Sequence, residues 1–246
     1  MFLHYFHEIK QLIDEVERKE ARTIQKAAKQ IADKVSEGGL LYVFGCGHSH
    51  IMAEELFYRA GGLVPVYPIL EEKLMLHQGP VQSSQLERKT DYAASFMEEL
   101  PLTEKDVLLV VSTSGRNGVP VDAALLGKQK GSRVIALTSK TYAASQPSRH
   151  DTGKHLHDTA DIVLDNHIPK GDALLKAETE PELQFAPGSS LINIAILQGM
   201  IAEVLHLLEQ TQTELPVFKS ANIEGSDEHN KRMVDLYKNR IPLLKS

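Results

Sequence analysis

The 246-residue chain has little of several features that would point to particular classes of protein. It has a single cysteine, so no disulfide can form within it. Its formal net charge is −6 and no basic stripe with interleaved aromatics is present, so nucleic acid is not expected as a partner. Its apolar runs are far shorter than the roughly 20 residues that cross a bilayer, so no membrane is expected. Because the segment after Met1 has no apolar signal-peptide core, we expect a cytoplasmic protein.

Short apolar runs alternate with helical patterns along most of the chain. Hydrophobic residues make up 42% of the sequence, enough for the core of one large α/β domain. Strands that are apolar on both faces and alternate with helices are typical of a parallel sheet covered on two sides. The predicted strands are 40–44, 63–66, 107–111, 134–137 and 162–164. The predicted helices that follow or separate them are 49–60, 91–100, 118–130 and 189–210.

A long helical pattern precedes the first predicted strand and ends at Gly38 and Gly39. Its charged stretch at 17–20 could divide it into two helices. Such an arm either covers one face of its own sheet or packs on a partner subunit, and the sequence leaves both open. The predicted organisation is a helical arm over 1–38, an α/β domain over 39–210 and a tail over 211–246 that packs on the domain or on a partner.

Two loops rich in serine each follow an apolar run directly. The first serine loop, residues 45–49, reads GCGHS, and the second serine loop, residues 112–117, reads STSGRN. A loop that opens a helix directs backbone N–H groups at a bound anion, and hydroxyls add donors without charge. Gly47 would let the backbone approach that anion closely. The two loops on neighbouring strands predict a phosphate cradle, although Ser49 and Ser114 could instead only cap their helices.

Three competing motifs are incomplete in this chain. A dinucleotide-binding loop needs a third glycine at position 50, where the chain has His50. The Gly-Lys-Ser/Thr of a nucleotide-binding P-loop and the Gly-x-Ser-x-Gly of a hydrolase are absent. No cofactor is therefore expected.

These loops carry a resemblance to a known family. Together with the helix entry at 187–190 (PGSS), they resemble the sugar isomerase (SIS) domain proteins, which bind phosphosugars. The resemblance covers roughly residues 35–210. Within the family, the loops are similar to those of phosphoheptose isomerases, and 101–140 and 222–240 are similar to the N-acetylmuramic acid 6-phosphate etherases.

The resemblance implies a fold, an assembly and a ligand. The implied fold is a three-layer αβα sandwich with a five-stranded parallel sheet, as in flavodoxin-like proteins. The implied assembly is a homodimer or higher homo-oligomer with sites near subunit interfaces. The implied ligand is a phosphorylated sugar, and the implied phosphate-binding residues are Ser49, Ser112, Thr113, Ser114 and Asn117.

Aldose–ketose isomerisation needs a base that moves a proton between two sugar carbons through an enediol. Glu55 lies six residues past Ser49, about 9 Å along a helix, a reach that fits a sugar whose phosphate is held at the loop. In the family's isomerases a glutamate in an Ala-Glu-Leu context on this helix is the base, and Glu55 matches it approximately. The alternative is a solvated carboxylate paired with Arg59 four residues on.

The second acid of the mechanism is harder to identify. Phosphoheptose isomerases carry a Glu-x-x-His pair on the last helix, whereas this chain reads IAILQ at 194–198. Etherases use a second glutamate from the region that here contains Glu87, and His77 lies in the same loop. We therefore predict Glu87 and His77 as further catalytic residues. The predicted sugar-binding residues are His48, Asp172 and Ser189.

The chain contains 11 histidines, and those at 155 and 157 could ligate zinc or nickel. No third ligand stands at a standard spacing, so no metal is expected. Cys46, inside the first serine loop, is either a nucleophile activated at a helix start or a small buried residue, and the second interpretation is favoured.

Three functions remain open at this point. The first is a sugar-phosphate isomerase, and the second is an etherase-like lyase that uses Glu55 and Glu87. The third is a non-catalytic phosphosugar sensor. Residues 1–38 show no helix-turn-helix, which argues against a fused transcription regulator.

Overall fold

The sheet is built from five of the short apolar segments. The computed structural model describes residues 1–211 and 214–245. Its main sheet is parallel and has the order β2-β1-β3-β4-β5. This confirms the predicted αβα architecture. The strands are β1 (Leu41–Gly45), β2 (Val66–Ile69), β3 (Val107–Val111), β4 (Arg133–Thr138) and β5 (Ile162–Asp165).

Helices cover both faces of this sheet. One face packs against α1 (Phe2–Ser36), α2 (Ile51–Leu56) and α7 (Ser189–Glu209). The other packs against α4 (Ala94–Met97), α5 (Gly118–Gln129) and α8 (Ser226–Tyr237). Within β1, Val43 points to the first layer and Tyr42 and Phe44 to the second, so both faces of the strand are buried. Two short helices, α3 (Pro80–Leu86) and α6 (Lys140–Ala144), lie in the connections.

The N-terminal arm is one continuous helix, not two. It packs along α7 and β5 of its own chain, and its inner face includes the fully buried Ala28 and Ile31. Burying an isoleucine side chain stabilises a fold by roughly 1.5–3 kcal/mol. The charged stretch stays helical because Glu20 is buried and accepts a hydrogen bond from the His167 ring at 3.2 Å, next to the end of β5. Phe2, Leu3, Phe6 and Ile13 remain exposed.

Three predicted elements differ from the observed ones. The helix expected over 49–60 begins as a 3-10 turn and ends at Leu56, because the next residue, Phe57, is extended. The run at 63–66 was expected to be a strand, but Leu63 forms an antiparallel bridge to Val217 and β2 starts only at Val66. The helix expected over 91–100 is reduced to Ala94–Met97. Distant contacts accompany the last two of these changes: Val217 bridges Leu63, and on either side of α4 the Asp91 N–H donates to Asp122 at 2.8 Å while the Glu98 carbonyl accepts from Lys130 at 2.9 Å.

The last part of the chain contains two elements without a strong sequence signal. A small hairpin of β6 (Leu175–Lys176) and β7 (Gln184–Phe185) precedes α7. In the tail, Met233 of α8, Ile241 and Leu244 complete the second core layer. By length and composition α7 could cross a membrane, but Ile192, Ile196 and other residues of its inner face belong to the core, as in core helices of globular proteins.

Candidate functional site

The strand order brings the two serine loops together. The chain leaves β1 towards β2 on one side and returns to β3 on the other, so the sheet order reverses between β1 and β3. In doubly wound sheets, ligands bind outside the carboxyl ends of the strands at such a switch point. Gly45, the last residue of β1, pairs in register with Val111, the last residue of β3. The two loops therefore start side by side at the edge where a ligand site is expected.

The first serine loop turns tightly out of β1. Gly47–His50 forms a 3-10 turn that continues into α2, and the Ser49 N–H donates to the Cys46 carbonyl at 2.9 Å. A Cβ at Gly45 would lie 2.4 Å from the Ser49 carbonyl oxygen, so the turn requires glycine there. Ser49 is half-buried, His48 is exposed, and the buried His50 ring bonds the Gly47 carbonyl.

The second serine loop is held by β4 and leads into the longer α5. The Ser112 N–H donates to the Leu137 carbonyl at 3.0 Å, and its hydroxyl oxygen accepts from the Gly115 N–H at 3.3 Å. The Thr113 carbonyl accepts from the Ser139 N–H at 2.9 Å. These bonds fix the loop's shape. Ser112 thus supports the shape of the loop through its hydroxyl oxygen, which accepts the bond from the Gly115 N–H.

Three hydroxyls at this edge are left without a protein partner. Ser49, Thr113 and Ser114 are half-buried, and none of their hydroxyl groups bonds to any residue of 1–211 or 214–245. Partly buried polar groups in native structures are normally satisfied by protein, water or ligand. A set of neutral donors beside a helix start is suited to an anion, because the hydroxyls donate without introducing a competing negative charge.

Asn117, the residue before α5, is bonded within the protein. Its side-chain oxygen accepts from the Arg149 guanidinium at 2.9 Å, and its amide donates to the Glu87 carboxyl group. The predicted phosphate ligand therefore serves as a link between a carboxyl group and an arginine. Its backbone still forms the N-terminal end of α5.

Glu87 lies near both serine loops, since its carboxyl group accepts from Asn117 of the second loop and its charge acts on Cys46 of the first. Its carbonyl accepts from the Val119 N–H at 3.1 Å, which anchors it to the first turn of α5. Burial raises the pKa of its carboxyl group, and the bond from Asn117 and the charges of Arg149 and Arg88 oppose that rise. Burial also raises the pKa of the Cys46 thiol, with a smaller contribution from Glu87. No local sequence pattern marks this carboxyl group as the desolvated one.

Glu55, on α2, has different surroundings. Its carboxylate accepts from Arg59, three residues after the end of α2, and from the Gln198 side chain of α7 at 3.0 Å. The ion pair with Arg59 is the alternative considered from the sequence. Gln198 belongs to the segment that lacks the Glu-x-x-His pair, and it faces Glu55. The carboxylate therefore joins α2 to α7.

Other predicted residues have these positions. His77 is exposed in a 3-10 turn, Leu76–Gln78, whose Leu76 approaches Gly47. Asp172 accepts from the N–H and hydroxyl of Ser189, the first residue of α7, at 2.9 and 2.5 Å, so the Asp172 carboxylate caps this helix. Within residues 1–211 and 214–245, none of the three predicted residues His77, Asp172 and Ser189 has a hydrogen bond to the serine loops.

The histidines in the later part of the chain take structural positions. The rings of His155 and His157 stack at 5.5 Å, and His155 bonds the Gln146 carbonyl at 3.0 Å. The buried His150 pairs with Asp122 at 2.8 Å. Over 1–211 and 214–245, no group of three or more His, Cys, Asp or Glu residues is placed to hold a metal ion.

Two arginines beside the second serine loop were not predicted. Arg116 belongs to the loop motif itself, and the basic residue in STSGRN was a signal that could have been used. Arg149 lies 32 positions further on from Asn117 and reaches it only through the fold. No local pattern marks it.

Comparison with known proteins places the fold and the loops in a family. The family model for the SIS domain matches residues 4–139. UPF0309 proteins of Halalkalibacterium halodurans and Geobacillus thermodenitrificans are 49% and 50% identical over 244 residues, 99% of this chain and 97% and 98% of theirs.

Solved structures share the fold at low identity. A phosphoheptose isomerase from Francisella tularensis has a TM-score of 0.56 and 18% identity, with 81% of this chain and 94% of that one covered. The sugar isomerase domain of an RpiR transcription factor from Sphaerobacter thermophilus has a TM-score of 0.50 and 14% identity, with 85% and 92% covered. With its αβα fold and its serine loops at the switch point, the chain belongs to the SIS domain family.

Proposed function

We propose that this protein binds a phosphorylated sugar, with the phosphate between the two serine loops. The observation that carries the proposal is the placement of the partner-free hydroxyls of Ser49, Thr113 and Ser114 at one switch point. The second loop adds the N-terminus of a 12-residue helix, where an anion is stabilised. Family membership supports the proposal, as does the shared fold with a phosphoheptose isomerase.

We further propose that the bound sugar undergoes aldose–ketose isomerisation. In this reaction a base removes the proton from C2, the resulting enediol is reprotonated at C1, and a proton moves between the two oxygens. A carboxyl group with a raised pKa is suited to such transfers near neutral pH. Glu87 meets this condition and lies near both loops, so it is the main acid–base candidate. Glu55 is the candidate second carboxylate, oriented by Arg59 and Gln198.

A second reaction is favoured by one feature of the site. Elimination of a substituent from C3 also starts with removal of the C2 proton, but it ends with protonation of the leaving group. A carboxyl group that keeps its proton to higher pH can supply that proton. The raised pKa of Glu87 therefore suits an etherase-like lyase as well.

We also propose that the protein is a homodimer or larger homo-oligomer. An apolar cleft of about 180 Å³ lies between α1 and α7 and is lined by Ile13, Ile24 and Ile192 among others. Exposed Phe2, Phe6 and Leu191 extend the apolar surface along the same two helices. Light scattering coupled to size exclusion tests this; a monomer at micromolar concentration contradicts it.

Deuterium exchange followed by NMR tests the function. The protein is mixed in D₂O with pentose, hexose, heptose and amino-sugar phosphates, and the C1 and C2 protons are followed. Exchange at C2 with ketose formation supports the isomerase, and loss of a C3 substituent supports the lyase. Thermal stabilisation with neither change identifies a sensor. If no sugar phosphate binds, the proposed function is wrong.

A further inference from the structure

Three arginines gather around Asn117 and Glu87. Arg149 donates from its guanidinium to Asn117 at 2.9 Å, and its backbone N–H donates to the Arg116 carbonyl at 2.8 Å. Arg116 donates to the Gln146 side chain at 3.3 Å, and its Nε is buried without a partner in the described part of the chain. Arg88 directly follows Glu87 and interacts electrostatically with it.

The negative charge of Glu87 offsets only part of the positive charge of the three guanidiniums. Within residues 1–211 and 214–245, none of the three guanidiniums forms an ion pair with Asp or Glu. Among the other arginines of the described residues, Arg59, Arg133, Arg232 and Arg240 form such pairs, whereas the exposed Arg18 and Arg22 of α1 do not. Desolvation, followed by the charges of Arg116 and Arg88, lowers the pKa of Arg149. An additional anion would relieve this repulsion.

The cluster extends to the side of the second serine loop away from the first. Gln146 and Arg149 follow α6, which follows β4, and the sheet order places β3 between β1 and β4. The first serine loop follows β1, on the opposite side of β3. A phosphate between the two loops would thus leave the groups on the β4 side, above all Arg116 and its contact Gln146, for another part of the ligand.

We infer that Arg116 and Arg149 bind a carboxylate of the ligand, so that the preferred ligand is a sugar phosphate that also carries an acid group. A guanidinium binds a carboxylate through paired hydrogen bonds in one plane. A carboxylate fits better than a second phosphate because its single charge is repelled less by the nearby Glu87. This inference rests on the proposed phosphosugar function and adds the ligand's chemical class.

A matched pair of ligands tests the inference directly. Calorimetry compares 6-phosphogluconate with glucitol 6-phosphate, which has the same carbon chain and phosphate but a hydroxyl in place of the carboxylate. We expect wild-type protein to bind 6-phosphogluconate at least about tenfold more tightly, the effect of one charge-assisted contact. Arg116→Gln and Arg149→Gln should each reduce this ratio towards one. Arg133→Gln, at the opposite end of the sheet, should preserve it.

The outcomes separate the inference from the function on which it rests. Equal binding of the two ligands by wild-type protein overturns the carboxylate site and leaves phosphosugar binding intact. A preference that survives both arginine variants also overturns it, as does an equal loss for both ligands, which would assign the arginines to the phosphate. If neither ligand nor any phosphate of the deuterium panel binds, the proposed function itself is wrong. The wild-type comparison is independent of how well the variants fold.

Discussion

The two sides of the candidate site are built differently although each consists of a strand, a serine loop and a helix. On the β1 side, the loop leads into a helix of six residues, and its carboxylate, Glu55, is paired with Arg59 and Gln198. On the β3 side, the helix has 12 residues, and the carboxyl group near its start, Glu87, is desolvated. The comparison teaches that the position of a carboxyl group in a motif does not determine whether it is ion-paired or desolvated. The groups that surround it in the fold do.

The largest expected effect separates the two glutamates. Glu87→Gln should lower the turnover of an exchanging sugar phosphate by about 100-fold or more, because removal of an acid–base group typically costs that much. The measurement is the initial rate at which the C2 proton signal is lost in D₂O. Glu54→Gln, on the exposed face of α2, is the control.

Glu55→Gln in the same assay completes the comparison. We expect a smaller loss than for Glu87→Gln, since the amide can still accept from Gln198 and Arg59. A larger loss at Glu55 than at Glu87 would reverse the assignment of the main acid–base group.

The next effect compares the two loops as anion binders. Ser114→Ala should weaken binding of a sugar phosphate about tenfold, the cost of one hydrogen bond to a charged group, and Ser49→Ala should weaken it less. The reason is that Ser114 precedes the longer helix, whose N-terminus contributes more favourable charge. Calorimetry with the phosphate and its unphosphorylated sugar measures this.

Ser36→Ala, at the exposed end of α1 beside the amino end of β1, serves as the control for both serine variants. Unchanged phosphate affinity in both loop variants would mean that the phosphate lies elsewhere.

A smaller effect concerns the link between α2 and α7. Gln198→Leu should lower the free energy of unfolding by about 1 kcal/mol, because the Glu55 carboxylate loses one hydrogen-bond donor but keeps Arg59. Denaturant unfolding measures it. Gln210→Leu, near the exposed end of α7, is the matched control. A loss of unfolding free energy well above about 1 kcal/mol would show that α2 and α7, on the β1 side, are coupled as tightly as the elements of the β3 side.

The smallest effect is a pH dependence of stability at Glu87. Because burial raises its pKa, the folded protein keeps this proton in a pH range where the unfolded chain has lost it. Stability from this group is therefore present below the unfolded value and is lost as pH rises through the folded pKa. Relative to Glu87→Gln, wild-type protein should lose thermal stability from pH 4 towards pH 8; a constant difference between the two would contradict the raised pKa.

Much of the architecture could be predicted because its signals are local. The run at 107–111 matches β3, and the pattern at 118–130 matches α5 to within one residue, since strand burial and a helix start are encoded by neighbouring residues. The boundaries of β2 were missed because Leu63 is bridged by Val217, more than 150 positions away. Sequence patterns carry no record of that contact.

The site could be predicted only in part for the same reason. Both serine loops could be recognised because each directly follows an apolar run. Their role as phosphate ligands remains a prediction. Asp172 and Ser189 were predicted for the sugar, but they bond each other at the start of α7. The link from Arg149 through Asn117 to Glu87 joins three separate segments, and only the fold brings them together.

The sequence by itself determined that this is a parallel α/β protein of the SIS family with two serine-bearing loops. Those properties follow from periodicity and short motifs, which act over a few residues. Only the tertiary structure decided which glutamate is desolvated and that the Gln198 side chain donates a hydrogen bond to Glu55. It also decided that arginines without an ion pair flank the second loop. Desolvation and charge pairing depend on groups that are close in space but distant along the chain, so they are settled by packing.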